Sequence, residues 1–167
     1  MVAVGFPGVG RAESLVVYGD KWAFTVEEPA GWHGDTETAP KFQVNVVFYP
    51  GSPESRTDDV TIRVRVGKKH DENIAEDLKA DMDGYRREYP KVEFENLPIS
   101  HLTYPTVASV FFWKDHFFEY VAYLNPGKEF PYILSVAMSK ANSRASREEL
   151  AAFDKVLQSI AFMRRAP

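Results

Sequence analysis

The sequence of 167 residues contains no cysteine. This absence excludes a disulfide framework, a thiolate nucleophile, and any zinc or iron–sulfur site that uses cysteine ligands. It does not identify a cellular compartment, because exported and cytosolic proteins alike can lack cysteine.

Long hydrophobic runs and an excess of one charge are also missing. No apolar stretch approaches the roughly 18 residues that a membrane-spanning helix needs. The net charge is −4, from 24 acidic and 20 basic residues spread along the chain. Such a chain has no extended positive field to attract a phosphate backbone. We therefore expect neither a membrane span nor a nucleic-acid partner.

Recognisable catalytic motifs are absent as well. The sequence has no G-x-S-x-G, no H-E-x-x-H, no phosphate-binding loop and no dinucleotide-binding fingerprint. We interpret His70, His101 and His116 as ordinary solvated histidines. An enzyme would need His33 or His116 to converge in space with carboxylates. The sequence therefore favours a protein that is not an enzyme and needs no cofactor.

Apolar residues that alternate with polar ones predict three strands in the first part of the chain. The first strand breaks at Pro29 and Gly31, just before Trp32. The alternating apolar positions are Trp22, Phe24 and Val26 in the first strand, Phe42, Val44, Val46 and Phe48 in the second, and Val60, Ile62, Val64 and Val66 in the third.

Two segments change to helical periodicity. The first helix should begin at Asn73, with Glu76 completing a variant of the capping box, and end before Pro90. The second should begin with the capping box of Ser146 and Glu149. The apolar stripes are Ile74, Leu78, Met82, Tyr85 and Tyr89 in the first helix, and Leu150, Phe153, Leu157 and Ile160 in the second.

Four strands are predicted between the helices. They are a short strand in VEFENLP, two aromatic strands joined by a turn at Lys114 and Asp115, and YILSVAMS. The order βββ-α-ββββ-α indicates an α+β protein with a mainly antiparallel sheet of about six or seven strands, flanked by helices in an α/β/α sandwich. We expect a flexible arm at residues 1–13, one domain at 14–163 and a tail at 164–167. The small residues of the arm fit either a chance match to a cleavage site or the remnant of a trimmed leader.

Several short segments together resemble the PsbP-like superfamily, which also takes in bacterial DcrB-like proteins and a eukaryotic Ran-binding nuclear-import factor. They are FTVEEPAGW, a strand that ends in FYP, the acid-rich NIAEDLKADMDGY, the late aromatic strands and the closing FDKVLQSIAF. The resemblance covers residues 14–163. It implies an α/β/α sandwich without catalysis, in accessory subunits, lipoproteins or chaperone-like binders. Many bacterial members are exported, so the resemblance favours export and leaves a cytoplasmic location open.

Aromatic residues are the candidate ligand-binding residues. Trp32 fits either an anchor that pins the turn to the core or an aromatic wall for a ligand. The strands around residues 111–124 are apolar on both faces and need cover on both. An uncovered face would form a groove for a peptide, a lipid or a partner helix, whereas complete cover would leave none. The candidates are Trp32, Trp113, Phe117, Tyr123 and Tyr132.

Two polar clusters have simpler interpretations. If the segment were extended, His33, Asp35 and Glu37 would share one side and suit a divalent metal, but such spacing arises readily by chance and we predict no metal site. The acids of the first helix favour its dipole and a solvated face, with a docking patch for a basic partner or a weak calcium surface as the alternative. These acids are Asp71, Glu72, Glu76, Asp77, Asp81 and Asp83.

The sequence therefore predicts a non-catalytic accessory or binding protein whose ligand or partner, a protein or a small molecule, is not identified. One alternative is a chaperone-like homodimer that shields apolar segments of an exported partner. The other is a metal-dependent hydrolase.

Overall fold

A computed structural model of the protein describes residues 14–52, 54, 59–70, 72–114 and 116–163. The predicted arm at 1–13, the predicted tail at 164–167, Asp71 and Asp115 lie outside these residues. No helix in these ranges is long and apolar enough to cross a bilayer.

The described residues contain ten strands, two α-helices and a 3-10 helix. The strands are β1 (Ser14–Tyr18), β2 (Ala23–Glu27), β3 (Trp32–Asp35), β4 (Val46–Pro50), β5 (Val60–Lys68), β6 (Glu93–Asn96), β7 (Thr106–Trp113), β8 (Phe117–Leu124), β9 (Tyr132–Ala141) and β10 (Ala161–Phe162). The helices are α1 (Ile74–Glu88) and α2 (Arg147–Ser159), and the 3-10 helix is Ala39–Phe42.

The strands form two sheets in which every pairing is antiparallel. The larger sheet has seven strands in the order β3-β4-β5-β9-β8-β7-β6, and the smaller has the order β1-β2-β10. The predicted α+β class with a large antiparallel sheet is confirmed. The predicted strand order is incomplete, because five strands precede α1 and β10 follows α2.

Helices cover both faces of the large sheet. On one face, α1 packs on β7 and β8. On the other, α2 and the small sheet close the main core, in which Phe24, Phe48 and Phe153 are fully buried. The predicted sandwich is therefore present, with a small sheet added beside α2.

The segment before β4 differs from the prediction. Phe42 and Val44 were expected to begin a strand, but Phe42 ends the 3-10 helix and its side chain is 57% exposed. Pro40 favours this turn because it lies in the first turn of the helix, where a backbone N–H would have no partner within the helix. Gln43 ends the helix in the left-handed region, with φ at 58°.

The helix caps follow the sequence closely. At α2 the capping box is complete, with the Glu149 amide donating to Ser146 Oγ (3.2 Å) and the Ser146 amide donating to Glu149 Oε2 (2.6 Å). At α1 the Asn73 side chain accepts from the amide of Ala75 at 3.2 Å rather than from that of Glu76.

The turn before Trp32 depends on Gly31, whose φ of 77° lies in the left-handed region. The Trp32 amide donates to the carbonyl of Pro29 at 3.0 Å. The Trp32 side chain is half-buried and packs on the main core. This placement is the one expected of an anchor.

Candidate functional site

Helix α1 leaves part of the large sheet uncovered. It lies over β7 and β8, whereas the neighbouring strands β9 and β5 are only partly covered. Ile133 of β9 is buried in the cluster beneath α1, but Ser135 and Ser139 are half-buried and Arg65 of β5 is exposed. Two adjoining cavities of about 460 and 290 Å³ occupy this space and share Arg63, Tyr85 and Glu119. We call them together the α1 groove. Its far wall is the segment from Phe42 to Val44.

A hydrogen-bonded network centres on Glu119, a buried carboxylate in the floor of the α1 groove. Arg63 Nη2 donates to Glu119 Oε1 at 2.6 Å and also to Ser139 Oγ. Ser139 Oγ donates to the same Oε1 at 3.2 Å, and the Tyr85 hydroxyl donates to Oε2. Both oxygens of the carboxylate therefore have partners, as a buried charge requires.

Arg63 has one unmet donor. Its side chain is 33% exposed overall, but its Nε atom is buried and has no hydrogen-bond partner in the described part of the chain. Buried donors in native proteins are nearly always satisfied. The network therefore fixes the guanidinium through Nη2 and leaves Nε unpaired at the floor of the α1 groove.

Two tyrosines of the α1 groove stay neutral donors. Burial raises the pKa of Tyr85, and the charge of Glu119 raises it further. Burial also raises the pKa of Tyr123, and the hydrogen bond that its hydroxyl donates to Asp81 has the same effect. Both hydroxyls therefore keep their protons at neutral pH and donate hydrogen bonds to carboxylates, that of Tyr85 to Glu119 and that of Tyr123 to Asp81.

One end of the α1 groove is aromatic. The ring of Tyr89 lies 5.2 Å from that of Phe117 and 6.0 Å from that of Trp113. The ring of His116 lies 4.1 Å from that of Trp113, tilted by 38°. These rings offer an apolar surface beside the charged network.

The five predicted binding residues do not share one surface. Phe117 and Tyr123 line the α1 groove, and Trp113 lies next to it through Tyr89. Tyr132 and Leu134 are two residues apart in β9, so both lie on the face of the sheet opposite to the α1 groove. Trp32 packs on the core of that opposite face as well. A ligand role for any of the five stays a prediction.

Sequence reasoning missed the charged members of the network. In the sequence Arg63 simply alternates with the apolar Ile62 and Val64 of a predicted strand, and Tyr85 falls on the apolar stripe of the first predicted helix. A signal was available in FFEYVAYL, where Glu119 is the single charge in an otherwise apolar and aromatic strand. A buried acid predicts a partner that neutralises it.

The histidines and the candidate metal ligands are separated. His33 Nδ1 lies 3.4 Å from Glu28 Oε1. Asp35 Oδ1 instead accepts the amides of Glu37 and Thr38, each at 2.9 Å. No group of three metal-capable side chains occurs among the described residues.

Two predictions about polar side chains are wrong. His101, expected to be solvated, is 9% exposed, because its ring is enclosed between its own loop, where Nδ1 accepts the amide of Thr103, and the carbonyl of Ile160, which lies 3.2 Å from Nε2. The acids of α1 are not all solvated, because Asp77 is buried and accepts from the exposed His70 (2.6 Å). Asp81 is likewise engaged, by Tyr123.

Comparison with known proteins identifies the fold. No family model and no curated protein matches the chain. The solution structure of cyanobacterial PsbP (CyanoP) from Synechocystis sp. PCC 6803 is similar with a TM-score of 0.54 at 17% identity, over 96% of this chain and 98% of that chain. The crystal structure of LpqN, involved in cell envelope biogenesis of Mycobacterium tuberculosis, is similar with a TM-score of 0.60 at 13% identity, over 93% of both chains. The chain therefore has the PsbP-like fold that the sequence motifs predicted.

Proposed function

We propose that this chain is a non-catalytic binding or accessory protein that holds its ligand in the α1 groove. The observation that carries the proposal is the network of Arg63, Glu119, Ser139 and Tyr85 at the floor of an open groove. Replacing a buried ion pair by apolar side chains is often neutral or stabilising. An ion pair in this position is therefore better explained by a polar ligand than by the stability of the fold.

The lining of the α1 groove suits a small amphipathic anion. Tyr85, Val121 and Ala137 supply apolar contact. Arg65 is exposed, lies directly across from Ser135 in the pairing of β5 with β9, and makes no ion pair with the residues described. Its guanidinium is therefore available to bind a carboxylate, sulfonate or phosphate group in a bidentate manner.

The involvement of LpqN in cell envelope biogenesis supports an exported location for this chain as part of the same proposal. His33 lies beside one carboxylate, that of Glu28, but no group of three metal-capable side chains forms among the described residues, so we do not propose the metal-dependent hydrolase. We do not propose the chaperone-like dimer either.

Binding of an amphipathic anion should depend on Arg65. We expect Arg65→Gln to weaken binding of the probe 8-anilinonaphthalene-1-sulfonate about ten-fold, because a charge-assisted hydrogen bond is lost. The measurement is a fluorescence titration of the folded protein. Arg147→Gln is the matched control, since Arg147 is also exposed but lies on α2, across the sheet. Equal dissociation constants for the two variants, or no saturable binding to the wild type, would contradict the proposal.

A further inference from the structure

His101 lies in the loop 97–105 between β6 and β7, and both of its ring nitrogens are in use. Nδ1 accepts the backbone amides of Thr103 at 2.9 Å and Tyr104 at 3.1 Å. Nε2 lies 3.2 Å from the carbonyl of Ile160, just beyond α2. An acceptor at Nδ1 and a donor at Nε2 define the neutral tautomer with its proton on Nε2.

The same loop is tied to the end of α2 by further contacts. Gln158 Nε2 donates to the carbonyl of Ser100 at 2.6 Å, and Gln158 Oε1 accepts the amide of Leu102 at 3.2 Å. The Tyr104 hydroxyl accepts the amide of Phe162, in β10, at 3.1 Å. The imidazole of His101 thus lies at the centre of the junction between the loop, α2 and β10.

The groups that face His101 are almost all uncharged. The Tyr104 ring lies 4.7 Å away, and the His101 amide donates to Thr106 Oγ1 at 3.0 Å. On α2 the nearby acid is Asp154, which accepts from Gln158 Nε2 at 3.1 Å. No carboxylate of the described residues is hydrogen-bonded to the imidazole, so none is in place to stabilise an imidazolium.

We propose that His101 is a pH-sensitive latch that holds the loop 97–105 against the end of α2. Protonation adds a hydrogen to Nδ1, which already faces two N–H donors. An imidazolium has no acceptor. Both amides of the loop then lose their partner inside the protein, and the ring must move towards water.

The direction of the pH dependence follows from burial. Burial lowers the pKa of His101, and this effect outweighs the hydrogen bonds to the backbone of Ile160 and Gln158, which raise it. The released loop has the ordinary histidine pKa of about 6.5. The equilibrium constant for closing the latch therefore has its maximum above about pH 6.5. Below that pH it falls by up to about ten-fold per pH unit, until the pH reaches the pKa of His101 in the closed form.

Amide hydrogen exchange on the full chain tests the latch. Between about pH 7.5 and about pH 5.5 we expect the protection factors of Thr103 and Tyr104 to fall about ten-fold in the wild type, with those of Val136 and Met138 in β9 little changed. His101→Asn removes the titrating group and should abolish this dependence. His116→Asn, at an exposed site, should retain it.

A second measurement needs no variant. An NMR titration of the wild-type imidazoles should give His101 a midpoint below about 6.5. A midpoint at or above that value would overturn the proposal, even if His101→Asn fails to fold. The proposal would also be overturned if the protection factors of Thr103 and Tyr104 did not change between the two pH values.

Discussion

Replacing Glu119 by glutamine is expected to lower the free energy of unfolding by about 3 kcal/mol, because Arg63 would keep its charge against the sheet without a counter-charge. Arg63 is 33% exposed, so water offsets part of the penalty and the loss lies at the low end of the range for broken buried pairs. Glutamine preserves the size of the side chain and one acceptor. Urea denaturation measures the change.

An exposed Arg–Glu pair provides the control for this prediction. Arg144 donates to both oxygens of Glu95 at 2.7 and 2.8 Å, and both side chains are exposed to water. Glu95→Gln should cost at most about 1 kcal/mol, as for other surface ion pairs. Similar losses at Glu119 and Glu95 would show that the network in the α1 groove has no special dependence on the charge of Glu119.

Phe111→Ala is expected to have the largest effect, a loss of about 4 kcal/mol, because it opens a cavity beneath α1. Phe111 is fully buried in β7. The rings of Tyr85 and Phe94 each meet it edge-on at 5.0 Å. The substitution also removes one of the ring contacts that position Tyr85 in the wall of the α1 groove. Chemical denaturation measures the loss.

Phe42→Ala is the matched control for Phe111. Phe42 is also a phenylalanine on the α1 side of the molecule, but its side chain is 57% exposed. Its removal should change the free energy of unfolding by no more than about 0.5 kcal/mol. If Phe111→Ala lost less than about 1 kcal/mol, α1 would not be anchored on β7 in the way described.

The elements that the sequence predicts well are those with local signals. The helix α2 has its capping box and apolar stripe within thirteen residues, and the hairpin of β7 and β8 has long apolar strands around a short turn. The strands β1 and β3 were not predicted. Neither alternates: β1 reads SLVVY, with three adjacent apolar residues, and β3 reads WHGD, with a single apolar residue. Each is stabilised by pairing with another strand.

A contact between these two strands illustrates the difficulty. Gly34 in β3 lies under the side chain of Leu15, and a Cβ added at Gly34 would come within 2.5 Å of Leu15 Cδ1. The missing side chain allows the two sheets to approach. Nothing in the local sequence of either segment indicates this contact, because it depends on how the sheets stack.

The α1 groove was predictable only in part. Aromatic residues such as Phe117 and Tyr123 were identified because their strand is apolar on both faces. Arg63 and Glu119 are 56 residues apart and meet only because β9 lies between β5 and β8. His101 was misassigned for a similar reason, since its burial depends on α2, which ends 58 residues later.

Amide chemical shifts would show whether the α1 groove is the ligand site that we propose. We would titrate 8-anilinonaphthalene-1-sulfonate into isotope-labelled wild-type protein and map the shifts by NMR. We expect the largest changes at Gln43, Arg65, Tyr85 and Ser135, with the amide shifts of α2 and β2 unchanged. Shift changes confined to α2 or the small sheet, with no change at the residues of the α1 groove, would contradict the proposed ligand site.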